Sequence, residues 1–117
     1  MLDKRTRCKI YLLLVEYTAI PLLLGLYLLY LSGYGLTTRR AEKLTLGLID
    51  YRKSVILHTG ILPYFVGILV VVHAVAGIGL MINRRVKNPT LRLFLELLNL
   101  ILVGIAFLTQ LTILELL

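Results

Sequence analysis

The sequence predicts an all-α membrane protein with three transmembrane helices, built to form part of a multi-subunit helical bundle. Of its 117 residues, 59% are hydrophobic, and the mean hydropathy is +0.91. Such a chain is too apolar for an ordinary soluble domain and too short for more than one unit. Three apolar stretches each reach the roughly 20 residues that a helix needs to cross a bilayer. We therefore expect one transmembrane domain over residues 1–117.

The basic residues indicate membrane topology and not a nucleic-acid partner. The formal net charge is +7, but the lysines and arginines form short clusters between the apolar stretches, where they orient a protein in the membrane. No nucleic acid is expected as a partner. The single cysteine, Cys8, excludes an internal disulfide and any iron–sulfur cluster ligated by cysteines of this chain alone.

The first predicted span covers residues 10–31 and follows a basic N-terminal tail. Its roughly 22 residues are too many for the apolar part of a cleaved signal peptide, so we expect a retained membrane helix. Only Glu16 and Thr18 interrupt its apolar character. Pro21 is expected to bend it slightly at most, because neighbouring helices can satisfy the freed carbonyl.

A polar connection over residues 32–53 follows, with a short surface helix expected over residues 38–50. The second predicted span covers residues 55–82. Its roughly 28 residues would form a helix of about 42 Å, which exceeds the hydrocarbon thickness. This span must therefore tilt, kink at Pro63 or project beyond the membrane.

The third predicted span covers residues 93–114 and follows a turn at Asn88 and Pro89, a pair that ends one helix and suits the start of another. In a three-span protein the N-terminal tail and this turn lie on the same side. Together they contain Lys4, Arg5, Arg7, Lys9, Arg84, Arg85, Lys87 and Arg92. This excess predicts a multi-pass protein of the inner (cytoplasmic) cell membrane, with the N-terminus in the cytoplasm and the C-terminus outside.

His73 is the first candidate functional residue, because nine apolar or glycine residues flank it on either side. A histidine in hydrocarbon is costly unless it is paired or binds a ligand. Imidazole is an axial ligand of haem iron, and Gly77, one turn later on the same face, would let a flat porphyrin approach the backbone. The alternative is a histidine hydrogen-bonded to a neighbouring helix, for which Thr18 and Glu16 are the candidate partners.

His58 is a possible second haem ligand. It precedes His73 by 15 residues, which on one ideal helix is about 22 Å along the axis and about 60° around it. That separation suits two haems stacked across a bilayer. The alternative is an interfacial histidine close to Arg52 and Lys53 that needs no ligand.

Two carboxylates, Glu16 and Glu96, fall near the predicted cytoplasmic boundary. We expect them to snorkel or to pair with basic side chains there. The candidate partners are Lys9, Arg84, Arg85 and Arg92. A proton-relay role near a quinone is the alternative.

Two stretches of the sequence carry a family resemblance. The better one is HAVAGIGLMINRRVKNPTLRL, residues 73–93: a histidine, alanine next, glycine four residues on, a Val-Lys turn and a Leu-Arg at the start of the third helix. The other is YTAI at residues 17–20, followed by LYLLY and Gly33 in the first span. With these stretches the chain resembles the small membrane-anchor subunit (cytochrome b subunit, D-type) of succinate dehydrogenase and fumarate reductase, that is, of complex II, whose first span has a TAI and LYxxYxxG pattern. Thr59 also keeps the family's spacing from the histidine.

This resemblance implies that His73 is the axial ligand of the haem b iron. It implies a non-catalytic subunit whose partners are a second membrane-anchor subunit, an iron–sulfur subunit and a flavoprotein subunit, with quinone as the substrate of the complex. The family usually has Asp-Tyr eleven and twelve residues after the histidine, with the tyrosine on the quinone carbonyl. Here Arg84 and Arg85 occupy those positions and become candidates for contacts with quinone or haem propionates.

Two alternatives stay open from the sequence. One is a dihaem cytochrome b-like electron-transfer subunit of another respiratory complex, in which His58 and His73 each hold a haem. The other is a structural anchor without a cofactor. Three helices with one or two histidines cannot enclose a six-coordinate haem alone, so a haem would also need a ligand from another subunit.

Overall fold

The computed structural model describes residues 3–116, and those residues form helices without any strand. In chain order they are α1 (Lys4–Thr37), α2 (Arg40–Leu44), α3 (Tyr51–Thr59), α4 (Leu62–Arg85) and α5 (Pro89–Leu116). Three of them, α1, α4 and α5, are long and apolar enough to cross a membrane. The predicted all-α class with three transmembrane helices is therefore confirmed. Residues 1, 2 and 117 of the predicted domain lie outside the described residues.

Helix α1 begins after Asp3, which caps it. The Asp3 carboxylate accepts a hydrogen bond from the Thr6 N–H at 3.0 Å, and the Asp3 carbonyl accepts one from the Arg7 N–H. Hydrogen bonds from Thr6 lower the pKa of this exposed carboxyl, because they favour its charged form. The helix then continues through Pro21 to Thr37, so it extends beyond the predicted span at both ends.

The polar connection contains a shorter surface helix than the sequence predicts. Helix α2 has 5 residues and ends before Leu46 and Gly47, which both adopt positive φ angles, of 55° and 84°. Two successive residues of this kind cannot continue a right-handed helix. Helix α3 starts after Asp50, whose side chain accepts a hydrogen bond from the Lys53 N–H at 2.8 Å.

The predicted second span, residues 55–82, is divided in the structure between α3 and α4, next to Pro63, where a kink was one of the three outcomes expected from its length. Helix α3 ends at Thr59, where the Gly60 N–H still donates to the Ile56 carbonyl at 3.0 Å. Helix α4 starts at Leu62, with Pro63 as its second residue. Proline lacks an N–H and disfavours a helical residue before it, so the interruption falls just before Pro63. The 24 residues of α4 span about 36 Å, enough for a bilayer without α3.

The chain divides into two compact units. The first unit contains α1 up to Ala19, α4 from Leu69 onwards, and α5; the second unit is Ile20–Ile68. In the first unit, the Asn99 amide of α5 donates to the Val75 carbonyl of α4 at 3.1 Å. Large apolar side chains such as Leu23, Leu102 and Leu108 are exposed, as expected for helices that face lipid or other subunits.

In the second unit, α1 and α3 approach closely at Gly35. Ser54 is fully buried, and Ala41 is 1% exposed. A Cβ at Gly35 would overlap the Ser54 hydroxyl and approach the Ala41 side chain. Glycine is therefore required at position 35 for packing, because any larger residue would have to separate the two helices.

We expect Gly35→Ala to destabilise the protein by about 1–3 kcal/mol, the usual cost of an overpacked contact. The measurement is the midpoint of thermal unfolding in detergent, followed by circular dichroism. Adding Ser54→Gly to Gly35→Ala removes the obstructing hydroxyl, so the double variant should recover part of the lost stability. Gly104→Ala is the control, because a Cβ there meets no atom within 4 Å. Equal midpoints for Gly35→Ala and Gly104→Ala would contradict the close contact.

Candidate functional site

His73 lies on α4 and is held by a threonine of α1 within the first unit. Its Nδ1 atom is 2.9 Å from the Thr18 hydroxyl oxygen, and Thr18 is 8% exposed. This is the hydrogen bond that the sequence offered as the alternative to haem ligation, with Thr18 as the partner. Glu16, the other candidate partner, is exposed.

The hydrogen bonds around Thr18 favour one arrangement of protons at His73. The Thr18 hydroxyl donates to the Leu14 carbonyl at 2.6 Å, because a carbonyl can only accept. All three groups are satisfied when Thr18 accepts from Nδ1–H of His73. This arrangement leaves the lone pair of the ring on Nε2.

Gly77 leaves open space one turn beyond His73. A Cβ at this position would meet no atom within 4 Å. The absence of a side chain at Gly77 keeps the backbone accessible next to the histidine. The contact of Gly77 with a porphyrin stays a prediction. A histidine with a lone pair on Nε2 beside an accessible backbone fits one axial half of a haem site.

His58 of α3 has a similar arrangement in the second unit. Its Nδ1 atom is 3.1 Å from the Leu29 carbonyl oxygen and 3.1 Å from the Ser32 hydroxyl oxygen. The Ser32 hydroxyl donates to the same Leu29 carbonyl at 2.9 Å. Because that carbonyl can only accept, Nδ1 of His58 carries the proton and Nε2 has the lone pair.

Ser32 is a functional candidate that the sequence reasoning missed. It is fully buried, and its hydroxyl contacts Nδ1 of His58 as the Thr18 hydroxyl contacts Nδ1 of His73. One signal was available: Ser32 follows Thr18 by 14 residues, close to the 15 residues between the two histidines. Antiparallel helices with nearly equal spacings can pair both sets of residues.

His58 also borders a shallow apolar cavity of about 280 Å³, lined by Leu29, Tyr30, Gly33, Tyr34, Thr37 and His58. A Cβ at Gly33 would lie 3.2 Å from the ring carbon Cε1 of His58, so the imidazole occupies the space that this glycine leaves. The ideal-helix separation of about 22 Å from His73 no longer applies, because the two histidines belong to separate helices.

Arg84 and Arg85 are the last two residues of α4, and both side chains are exposed. Neither forms a hydrogen bond or ion pair within residues 3–116. Cations in the last turn of a helix interact favourably with its dipole. Their predicted contact with quinone or haem propionates stays a prediction.

Glu96 of α5 forms a buried ion pair within the first unit. Its carboxylate is 3.2 Å from Nη2 and 3.4 Å from Nε of Arg7. Asn83 donates to the same carboxylate at 2.6 Å. The partner of Glu96 is thus Arg7, and the prediction of Lys9, Arg84, Arg85 or Arg92 was wrong. The carboxylate does not snorkel, because Glu96 is only 7% exposed. Arg7, Asn83 and Glu96 together connect α1, α4 and α5.

Within residues 3–116 no group of three or more His, Cys, Asp and Glu side chains could hold a bare metal ion. A haem iron differs, because the porphyrin supplies four ligands and the protein only the axial ones. No family model, curated protein or solved structure matches this chain. The two histidines and their surroundings are therefore the main indication of function.

Proposed function

We propose that this chain is the haem b-binding membrane-anchor subunit of a succinate dehydrogenase or fumarate reductase type complex, with His73 as an axial ligand. The main support is the hydrogen-bond chain from His73 through Thr18 to the Leu14 carbonyl. It orients the ring and leaves the lone pair on Nε2. Histidines that bind metals almost always donate their other N–H to an acceptor in this way.

A haem bound at this position would supply a reversible one-electron carrier beside the quinone. This chain contributes one imidazole in its first unit and an accessible backbone at Gly77. The opposite axial ligand would come from a second anchor subunit, packed against the exposed apolar side chains of the membrane helices.

The chain itself would be non-catalytic. A flavoprotein subunit would exchange electrons with succinate or fumarate, an iron–sulfur subunit would relay them, and this chain would attach both to the membrane. The positive charge of the N-terminal tail and of the turn after α4 supports a cytoplasmic N-terminus in the inner membrane. On that side Arg84 and Arg85 would attract an acidic soluble subunit or contact quinone.

A second candidate is a dihaem cytochrome b-like subunit. The observation that favours it is the hydrogen bonding of His58, whose Nδ1–H is taken by Leu29 and Ser32. The lone pair on Nε2 of His58 is then as available as that of His73. This arrangement also argues against a histidine that only happens to lie in the interface.

Purification of the tagged chain from its own membranes tests the proposal. We expect a flavoprotein and an iron–sulfur subunit to co-purify, with b-type absorbance in the reduced-minus-oxidised spectrum. Absorbance without those two subunits would favour a dihaem cytochrome of another complex. A colourless complex that keeps both subunits would indicate a structural anchor and overturn the haem assignment.

Charge reversal at the end of α4 tests the docking role. We expect Arg84→Glu with Arg85→Glu to release the soluble subunits, because a repulsive surface replaces an attractive one. The measurement is the amount of flavin that co-purifies per tagged chain. Reversal of Arg40 and Lys43 is the matched control, because both are exposed on α2, in the other connection between membrane-crossing helices. Unchanged flavin in the Arg84 and Arg85 variant would contradict docking at this edge.

A further inference from the structure

A cavity with charged residues in its lining lies in the second unit, where α1 ends and α3 begins. Its volume is about 690 Å³, within the usual range of ligand cavities of roughly 300–1,000 Å³. The connection that forms it joins two membrane-crossing helices, α1 and α4, so the cavity lies at a membrane surface. None of its lining residues belongs to the candidate haem site.

The lining contains equal numbers of positive and negative side chains. These are Arg39, Arg52, Glu42 and Asp50. No ion pair within residues 3–116 joins any two of them, although oppositely charged neighbours on a surface often pair. Asp50 accepts the Lys53 N–H at the start of α3, whereas Glu42 and the two arginines have no side-chain hydrogen bond in the described chain. The cavity thus offers charged groups of both signs to a ligand.

The two helix ends at the cavity carry opposite partial charges. The last residues of α1, Gly35, Leu36 and Thr37, line it, and their carbonyls accept no backbone hydrogen bond from the described residues that follow. The end of α1 is therefore a source of partial negative charge. The first residues of α3, Tyr51 and Arg52, also line the cavity, and a helix start is partially positive.

We propose that this cavity binds the phosphoethanolamine headgroup of a membrane lipid. Arg39 and Arg52 bind the phosphate, because guanidinium groups match phosphate oxygens in geometry and charge. Glu42 and the free carbonyls at the end of α1 accept hydrogen bonds from the ammonium group.

The balance of charges selects this headgroup over the other common ones. An anionic glycerol headgroup would leave Glu42 without a cation. A choline headgroup carries a cation, but its nitrogen has no N–H to donate to the carbonyls of α1. The membrane location favours a lipid over a soluble ligand. The proposal holds with or without a haem at His73, so it does not depend on the proposed function.

Native mass spectrometry of the purified, delipidated protein with added lipids tests the site. Phosphatidylethanolamine, phosphatidylcholine and phosphatidylglycerol with identical acyl chains are compared. We expect phosphatidylethanolamine to be retained about tenfold more than the other two, as one additional charged hydrogen bond allows. Glu42→Gln should remove this preference, and Arg52→Gln should weaken the retention of all three lipids, because each contains the phosphate. Arg40→Gln, an exposed neighbour outside the lining, should change neither result.

Two results would overturn the proposal. One is equal retention of the three lipids by the parent protein, a preference that survives in Glu42→Gln, or retention that Arg52→Gln leaves unchanged. The other is calorimetric binding of soluble phosphoethanolamine as tight as that of the lipid, which would assign the cavity to a soluble phosphorylated amine. Thermal unfolding midpoints equal to the parent's establish that each variant is folded.

Discussion

Replacing His73 by alanine is expected to abolish the b-type absorbance of the purified complex. In the single-haem proposal His73 supplies the axial ligand from this chain, through the Nε2 atom that its hydrogen bond to Thr18 leaves free. Alanine keeps the helix but has no lone pair, and an iron with one axial protein ligand is bound far more weakly. The measurement is the reduced-minus-oxidised visible spectrum, with the haem-to-protein ratio determined on the same sample.

His58→Ala is the matched control for this experiment. In the single-haem proposal it should keep the full absorbance, whereas partial loss in both histidine variants would mean two haems. Full absorbance in His73→Ala would contradict the proposed ligand.

Thr18→Val separates ligation from positioning. Valine keeps the shape of threonine but cannot accept the Nδ1–H of His73. Because outer-shell partners tune metal affinity by roughly 10- to 100-fold, we expect the haem to remain detectable with lower occupancy and a shifted midpoint potential. Ser32→Ala, which removes the equivalent partner of His58, should change neither quantity in the single-haem case.

Arg7→Met is expected to destabilise the protein by about 3–5 kcal/mol, the usual cost of removing one partner from a buried ion pair. Arg7 and Glu96 have side chains that are 19% and 6% exposed. Methionine retains much of the volume of arginine but leaves the Glu96 carboxylate buried without its counter-charge. The measurement is the free energy of unfolding in mixed micelles, titrated with denaturing detergent.

A second substitution separates charge from packing in this experiment. Adding Glu96→Gln removes the uncompensated charge and keeps an oxygen that can accept from Asn83, so we expect the double variant to recover most of the lost stability. Arg5→Met is the control, because Arg5 is exposed on the same helix and such changes usually cost under about 0.5 kcal/mol. Equal stabilities for Arg7→Met and Arg5→Met would contradict a stabilising role for the pair.

The sequence by itself determined the all-α membrane class and the three crossing helices, and it limited the candidate hydrogen-bond partners of His73 to Thr18 and Glu16. These follow from hydropathy summed over about 20 residues and from the scarcity of polar partners in an apolar span. The interruption near Pro63 was also foreseeable from the sequence. Proline lacks a backbone N–H and disfavours the helical conformation of the residue before it. The identity of a ligand at His73 stays a prediction, because it depends on atoms outside the chain.

Only the tertiary structure decided the partner of Glu96, the groups that contact Nδ1 of each histidine, and the cavity between α1 and α3. Several arginines and lysines were equally plausible partners from their positions along the chain, and the choice of Arg7 depends on how α1 packs against α5. The tautomers follow from which carbonyls lie beside Thr18 and Ser32. Hydrogen bonds and ion pairs act over about 3 Å between segments far apart in sequence, so their partners are determined by packing and cannot be derived from composition or periodicity.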